Sequence, residues 1–355
     1  MIGQIRNVLD KRFVQYDRLA TALAVALQAK MNLWLWGPGG YGKSDMVETV
    51  LRGLGHGAEL FIQAFGPGMT PEKLLGNMDI KKFKREDEIG YALEKSFMNY
   101  RFAVFEEMPD AAKTVLFLLK DILAARQYRD GSTTFPMKTE TIIVCSNLSP
   151  ESVAQEGPDA EALIQRWPLV LRVEWEDFGT EAYTALLHKR QSDFSESGVD
   201  GKSAVPMLAN FCSDLAAKGE RLPPRIVLGA AKALVTYAKI HGHSDIKPFD
   251  FQACLSSVRG MSGADFSGVV RYAQRSHAEK QLADAERMAK TLDDALDNMK
   301  SVIDVTRKTK ELKALLESVH AISVDESTVE RKKNLIRSAE NAILTSREKA
   351  ESLVH

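Results

Sequence analysis

Apolar residues gather first in short unbroken runs and later in spaced stripes. Five runs read as strands: "NLWLW" (32–36), "ELFIQAF" (59–65), "RFAVFEE" (101–107), "TIIVCSN" (141–147) and "LVLRVEW" (169–175). They are continuous rather than alternating, which suits a sheet covered on both faces. Segments 43–53, 72–76 and 110–126 lie between them with helical spacing. Strand-helix alternation of this kind predicts an α/β layer built on a mostly parallel, five-stranded sheet.

Two inserts interrupt the alternation. "NMDIKKFKREDEIGYALEKS" (77–96) is charged with interspersed aromatics, and "RQYRDGSTTFPMKTE" (126–140) has an Asp-Gly turn between strand-like arms, a hairpin signal. Beyond residue 176 strand signals fade and helices dominate, so a boundary is expected within 176–204, where "RQSDFSESGVDGKSAVP" reads as a loop. From Leu282 the apolar positions Ala285, Ala289, Leu292, Leu296, Met299 and Ile303 follow three-four spacing. A break is expected at "SVDEST" (323–328), and Ile336, Ala339, Ile343, Ser346, Ala350 and Leu353 repeat the stripe. The pattern predicts two long helices folded back as an antiparallel, coiled-coil-like hairpin.

Composition narrows the class. Of 355 residues, 45% are hydrophobic and 27% charged, as in a soluble globular chain. The formal net charge of −1 gives no whole-chain drive toward nucleic acid or an acidic membrane. Cys145, Cys212 and Cys254 lie far apart without metal-ligand spacing, as expected of reduced thiols in the cytoplasm. The N-terminus lacks the pattern of a signal peptide. The most apolar window, Leu19 to Leu27, is too short to span a bilayer, so no membrane segment is expected.

Chemistry concentrates where the first run ends. "GPGGYGKS" matches G-x-x-x-x-G-K-[ST] between a predicted strand and a predicted helix, the context this motif requires. Gly37, Pro38, Gly39, Gly40, Tyr41, Gly42, Lys43, Ser44 and Asp45 are therefore the candidate nucleotide-binding residues. Glycine backbones approach phosphate closely, their N–H groups form an anion nest, and the helix start adds a positive dipole end. Lys43 would reach the β- and γ-phosphates, and Ser44 would hold Mg²⁺. The third run ends in Glu106 and Glu107, read respectively as a metal-side carboxylate and as the group that polarises water. Asn147, at the end of the fourth run, is placed to hold that water. Arg166 and Arg225 are candidates for stabilising phosphoryl charge.

On these residues the chain resembles the AAA+ ATPases, and within them the MoxR-type branch, over about residues 15–275. The carriers are the phosphate loop, "FEEMPDA", Asn147, "LIQRWPL", "LPPRIVL" and "GMTPEKLLGN". The resemblance implies an ATPase core over 1–176 with its two inserts, an all-α lid over 177–275 and a helical extension over 276–355. It implies that ATP and Mg²⁺ are bound, that Glu107 is the catalytic carboxylate and that Asn147 is the first sensor. It also implies that Arg166 is a finger offered to a neighbouring subunit and that Arg225 is the second sensor. A ring, usually a hexamer, follows, acting on a client protein that often carries a von Willebrand factor A domain. Some relatives are chelatase motor subunits. Two positions depart from the pattern: Glu106 stands where Asp is usual, extending the carboxylate by about 1.5 Å, and Pro109-Asp110 replaces Asn-Arg.

Other features carry less. Lys81, Lys82, Lys84 and Arg85 around Phe83 would suit an acidic partner, but Asp79, Glu86, Asp87 and Glu88 offset them, so a solvated surface is the plainer reading. His241 and His243 lack a ligand set. Two competing functions remain at the level of sequence: a nucleotide-gated scaffold with little hydrolysis, and a nucleic-acid motor. The latter is disfavoured because no helix-turn-helix or zinc module is recognisable.

Overall fold

The computed structural model describes residues 1–76, 93–130, 133–196, 198–269, 277–297, 299, 301–322 and 329–353. The basic cluster at 81–85 lies outside the described residues. The chain divides into two units: residues 1–176 with 223–225, and residues 177–222 with 226–355.

In the first unit, α1 (Ile2–Leu9) and α2 (Asp17–Ala29) precede β1 (Leu33–Trp36), α3 (Lys43–Gly53), β2 (Leu60–Ala64) and the one-turn α4 (Glu72–Leu75). Then come β3 (Phe102–Glu106), α5 (Lys113–Ala125), the pair β4 (Gln127–Asp130) and β5 (Thr133–Pro136), and β6 (Thr141–Ser146). Helices α6 (Pro150–Ala154) and α7 (Pro158–Ile164) lead to β7 (Leu169–Arg172). Among the described residues the main sheet is five-stranded, in the order β2-β3-β6-β1-β7, and every pairing in it is parallel. The separate β4–β5 hairpin is antiparallel, as the Asp-Gly turn predicts.

Both faces of the sheet are covered, which explains the unbroken apolar runs. Alternate residues point to opposite sides of a strand. Leu33 and Leu35 of β1, Val104 of β3 and Ile143 of β6 enter one core with Leu9, Leu23, Val47 and Val50. Trp34, Phe105, Ile142 and Val144 enter the other with Phe97, Val115, Leu119 and Trp167. The fifth run behaves differently. Its strand stops at Arg172, short of the expected Trp175, and Val170 is 45% exposed, because β7 is an edge strand.

The second unit is helical among its described residues: α8 (Thr180–Lys189), α9 (Ala204–Ala217), α10 (Pro224–Ile240, its first two residues belonging to the first unit) and α11 (Pro248–Leu255) come first. The expected loop around 190–206 is shortened by turns of 3-10 helix at Gln191–Asp193 and Gly201–Ser203. His243 is not free for a metal: its Nδ1 lies 3.2 Å from the fully buried Asp250 carboxylate.

The extension corrects the two-helix expectation. Its described residues form three helices: α12 (His277–Asp297), α13 (Val302–Ala321) and α14 (Val329–Ser352). Ile303, expected on the continuous stripe, is 80% exposed, and the buried stripe resumes with Val305, Leu312 and Val319. An apolar residue that falls in heptad phase across a break cannot be distinguished by spacing from one inside a helix. Lysines on α14 tie the ends of its partners. Lys332 Nζ donates to the carbonyls of His320 and Ile322 at 2.9 and 2.7 Å, and Lys349 Nζ donates to that of Leu296. Cations at the carbonyl end of a helix also meet its negative dipole end favourably. No described helix is long and apolar enough to cross a membrane.

Candidate functional site

The glycine-rich turn leaves β1 where strand order switches, since β1 lies between β6 and β7 while the next strand, β2, lies at the far edge. A crevice at the carboxyl ends of parallel strands, at such a switch, is where α/β sheets bind ligands. Gly37 has φ +136°, and a Cβ there would lie 2.4 Å from the Val173 carbonyl oxygen, so only glycine fits. Gly42, at φ +77°, caps α3, whose first residue is Lys43. An 11-residue helix thus begins behind a turn able to direct N–H groups at an anion.

Lys43 is 93% buried by its 7% exposure and makes three hydrogen bonds from Nζ. It donates to the carbonyls of Gly37 at 2.7 Å and Pro38 at 3.0 Å, and to Asn147 Oδ1 at 3.2 Å. Burial holds its ammonium below the ordinary lysine value; Arg225 pushes the same way, and Glu107 opposes. Ser44 lies near enough to the Cys145 thiol of β6 to favour its ionised form against burial, a proximity that sequence reasoning missed. The available signal was position: Cys145 stands two residues before Asn147 in a strand paired directly with β1. Asp45 is exposed in the first turn of α3, and Tyr41 packs edge-on against Trp175 with ring centroids 6.5 Å apart.

The acidic pair ends β3. Glu106 is still in the strand, opposite Cys145, whereas Glu107 turns into left-handed backbone at φ +49°. The main-chain N–H of Asn147 donates to Glu107 Oε2 at 3.0 Å. Asn147 therefore touches Lys43 with its side chain and Glu107 with its backbone. Arg225 is joined to the loop through its own N–H, which donates to the Gly40 carbonyl at 3.2 Å.

Arg166 is not brought to this cluster. Its carbonyl accepts from Asn32 Nδ2 at 2.9 Å, and Asn32 immediately precedes β1, whereas the phosphate loop follows it. Its Nε is buried with no hydrogen-bond partner, and among the described residues no carboxylate forms an ion pair with it.

The residues fit a triphosphate and a hard divalent cation: an N–H nest, a buried lysine, and a hydroxyl and carboxylates as oxygen ligands. Among the described residues there is no group of three or more His, Cys, Asp or Glu that could hold a metal ion.

Residues 1–198, more than half of the chain, match the family described as the MoxR domain in the MoxR-vWA-beta-propeller ternary systems. No curated protein matches. Among solved structures, a protein of Cytophaga hutchinsonii assigned as an ATPase aligns at 14% identity and a TM-score of 0.39, covering 76% of this chain and 93% of that one. Domain III of the Thermotoga maritima replication initiation protein DnaA aligns at 16% identity and a TM-score of 0.47, covering 72% of this chain and 98% of that one. The family match over residues 1–198 makes this chain a member of the MoxR family of AAA+ ATPases.

Proposed function

We propose that the chain binds ATP with Mg²⁺ and hydrolyses it in a ring of its own copies, a hexamer by family habit, to remodel or mature a partner protein. The observation that supports this most is the joint hold of Asn147 on Lys43 and Glu107, which gathers a cation, a water-holding amide and a carboxylate at one loop. In this reading the N–H groups of Gly37 to Ser44 receive the phosphates, while Pro38, Tyr41 and Asp45 shape the turn and its helix. Lys43 neutralises the β- and γ-phosphates, and Glu107 orients and polarises the attacking water held by Asn147. Ser44 and Glu106 would hold Mg²⁺, which when bound neutralises charge across the β- and γ-phosphate oxygens. Arg225 stabilises the same charge from the start of α10. Arg166, at the other end of β1 and without a described ion-pair partner, serves the site of a neighbouring copy.

Residues 1–176 would be the catalytic core, 177–275 the lid and 276–355 an extension for docking or spacing, in a cytoplasmic protein. The family's description supports a client bearing a von Willebrand factor A domain. Steady-state turnover tests the reading. Wild type hydrolyses ATP, while Glu107→Gln and Arg166→Ala bind ATP but lose turnover by about a thousandfold or more. Equal, negligible turnover in all three would favour a nucleotide-gated scaffold.

A further inference from the structure

Asn32 occupies a position that neither the phosphate-loop motif nor the carboxylates explain. Its Oδ1 accepts from the main-chain N–H of Ile142 at 2.9 Å, and its Nδ2 donates to the carbonyl of Arg166 at 2.9 Å. The orientation of the amide is fixed by chemistry: an N–H must face oxygen, and a carbonyl must face the NH₂ group. One side chain therefore ties the start of β6 to the segment that enters β7. An aspartate could keep the first bond but has no donor for the second.

The residue after Arg166 is anchored from the same strand. Trp167 is 2% exposed and packs edge-on against Trp34, with centroids 5.7 Å apart at 88°. Trp34 is fully buried, and its indole N–H donates to the Leu148 carbonyl at 3.2 Å, directly after Asn147. The backbone directly after the Arg166 side chain is thus fixed to β1 or its lead-in, while its own N–H is held by the Leu163 carbonyl at 3.0 Å. The guanidinium is left without an ion pair among the described residues.

We propose that Asn32 is the positioning residue for Arg166, seating the arginine that one copy lends to the phosphate site of the next. This rests on the trans role of Arg166 proposed above. The strand that presents the phosphate loop at its carboxyl end carries the arginine's seat at its amino end. Each protomer's phosphate loop and its lent arginine are then parts of one rigid element.

The test uses the full-length protein, alone and mixed. Asn32→Asp keeps the bond to Ile142 and loses the bond to Arg166. Its turnover should fall about 10- to 100-fold, with affinity for a fluorescent ATP analogue held within about twofold, as expected when a catalytic group is misplaced by an ångström. Mixing with Glu107→Gln, which cannot hydrolyse but retains a well-seated arginine, should restore turnover at the Asn32→Asp sites. The Arg166→Ala protein should be restored in the same way. Wild-type turnover by Asn32→Asp overturns the proposal. So does a loss that mixing cannot restore while Arg166→Ala is restored, since Asn32 would then be only structural. If Arg166→Ala itself is not restored, the trans reading fails and this inference falls with it.

Discussion

Lys43 and Asn147 meet across the phosphate loop, Nζ donating to Oδ1 at 3.2 Å. The same asparagine gives its main-chain N–H to Glu107 at 3.0 Å. A residue just after β6 thus contacts both the loop lysine and the Glu107 carboxylate, through two different groups. Substitution can separate them. Asn147→Ala removes the side-chain acceptor but keeps the N–H that holds Glu107. We expect ATP affinity to change less than about threefold and kcat to fall about 10- to 100-fold, because the water-orienting group is lost while the phosphate grip remains. Equilibrium titration and steady-state turnover on the same preparations check this. A large loss of affinity with normal kcat would contradict it.

The Gly37 backbone makes a sharper structural demand than its motif suggests. A Cβ there would lie 2.4 Å from the Val173 oxygen, in a chain held by the bond from Val173 N–H to the Trp36 carbonyl at 2.7 Å. Neither atom belongs to a flexible side chain that could move aside. Gly37→Ala should cost about 1–3 kcal/mol through backbone strain and displacement, and should weaken nucleotide binding. Gly39→Ala is the contrast: its Cβ would meet nothing nearer than Asn147 Oδ1 at 3.7 Å. Thermal melts of the two variants, with and without ATP, should separate clearly.

The sequence made the phosphate loop legible because its parts are neighbours: four glycines, a lysine and a serine between a strand and a helix. The strands were legible because burial on both faces leaves an unbroken apolar run. Links across the sheet were not. Asn32 and Arg166 are 134 positions apart, and nothing in either residue's local pattern announces the bond. Cys145 looked like any buried thiol until pairing set β6 beside β1. Ile303 misled for a different reason. It keeps the heptad phase across the end of α12, so spacing reported one helix where there are two.

That last point predicts a contrast in the extension. Leu312 is fully buried in the three-helix core, whereas Ile303 is 80% exposed. Leu312→Ala should destabilise the bundle by about 2–5 kcal/mol. Ile303→Ala should change it by less than about 0.5 kcal/mol. Hydrogen exchange along α13 would measure both, since local opening reports local stability. Similar losses from the two variants would restore the continuous stripe and overturn the three-helix core. Neither residue belongs to the phosphate site, so ATP turnover offers an independent check that the core unit is intact.

The cysteines give a pH prediction with a definite sign. Burial pushes the Cys145 thiol up from 9.0 to about 12; nearby Ser44 and Lys43 oppose this, and Glu106 and Glu107 reinforce it. The folded chain therefore keeps this proton more tightly than the unfolded chain. The resulting stability is complete below about pH 9 and is lost as pH rises toward 12. Tyr16, raised to about 12 by burial and by its bond to Asp10, adds to the same alkaline decline. Cys145→Ala should flatten the fall of the melting temperature above about pH 9 and Tyr16→Phe above about pH 10, while leaving the slope at neutral pH unchanged. Reactivity follows the same ordering. Cys145 and Cys212 are buried and Cys254 is half-buried, so iodoacetamide at about pH 8 should label Cys254 first, since the exposed thiolate is the nucleophile. Labelling of Cys145 should appear only with unfolding. Mass spectrometry of a timed reaction resolves the order, and early modification of Cys145 in the native protein would mean that the Ser44 contact leaves the thiol open to solvent.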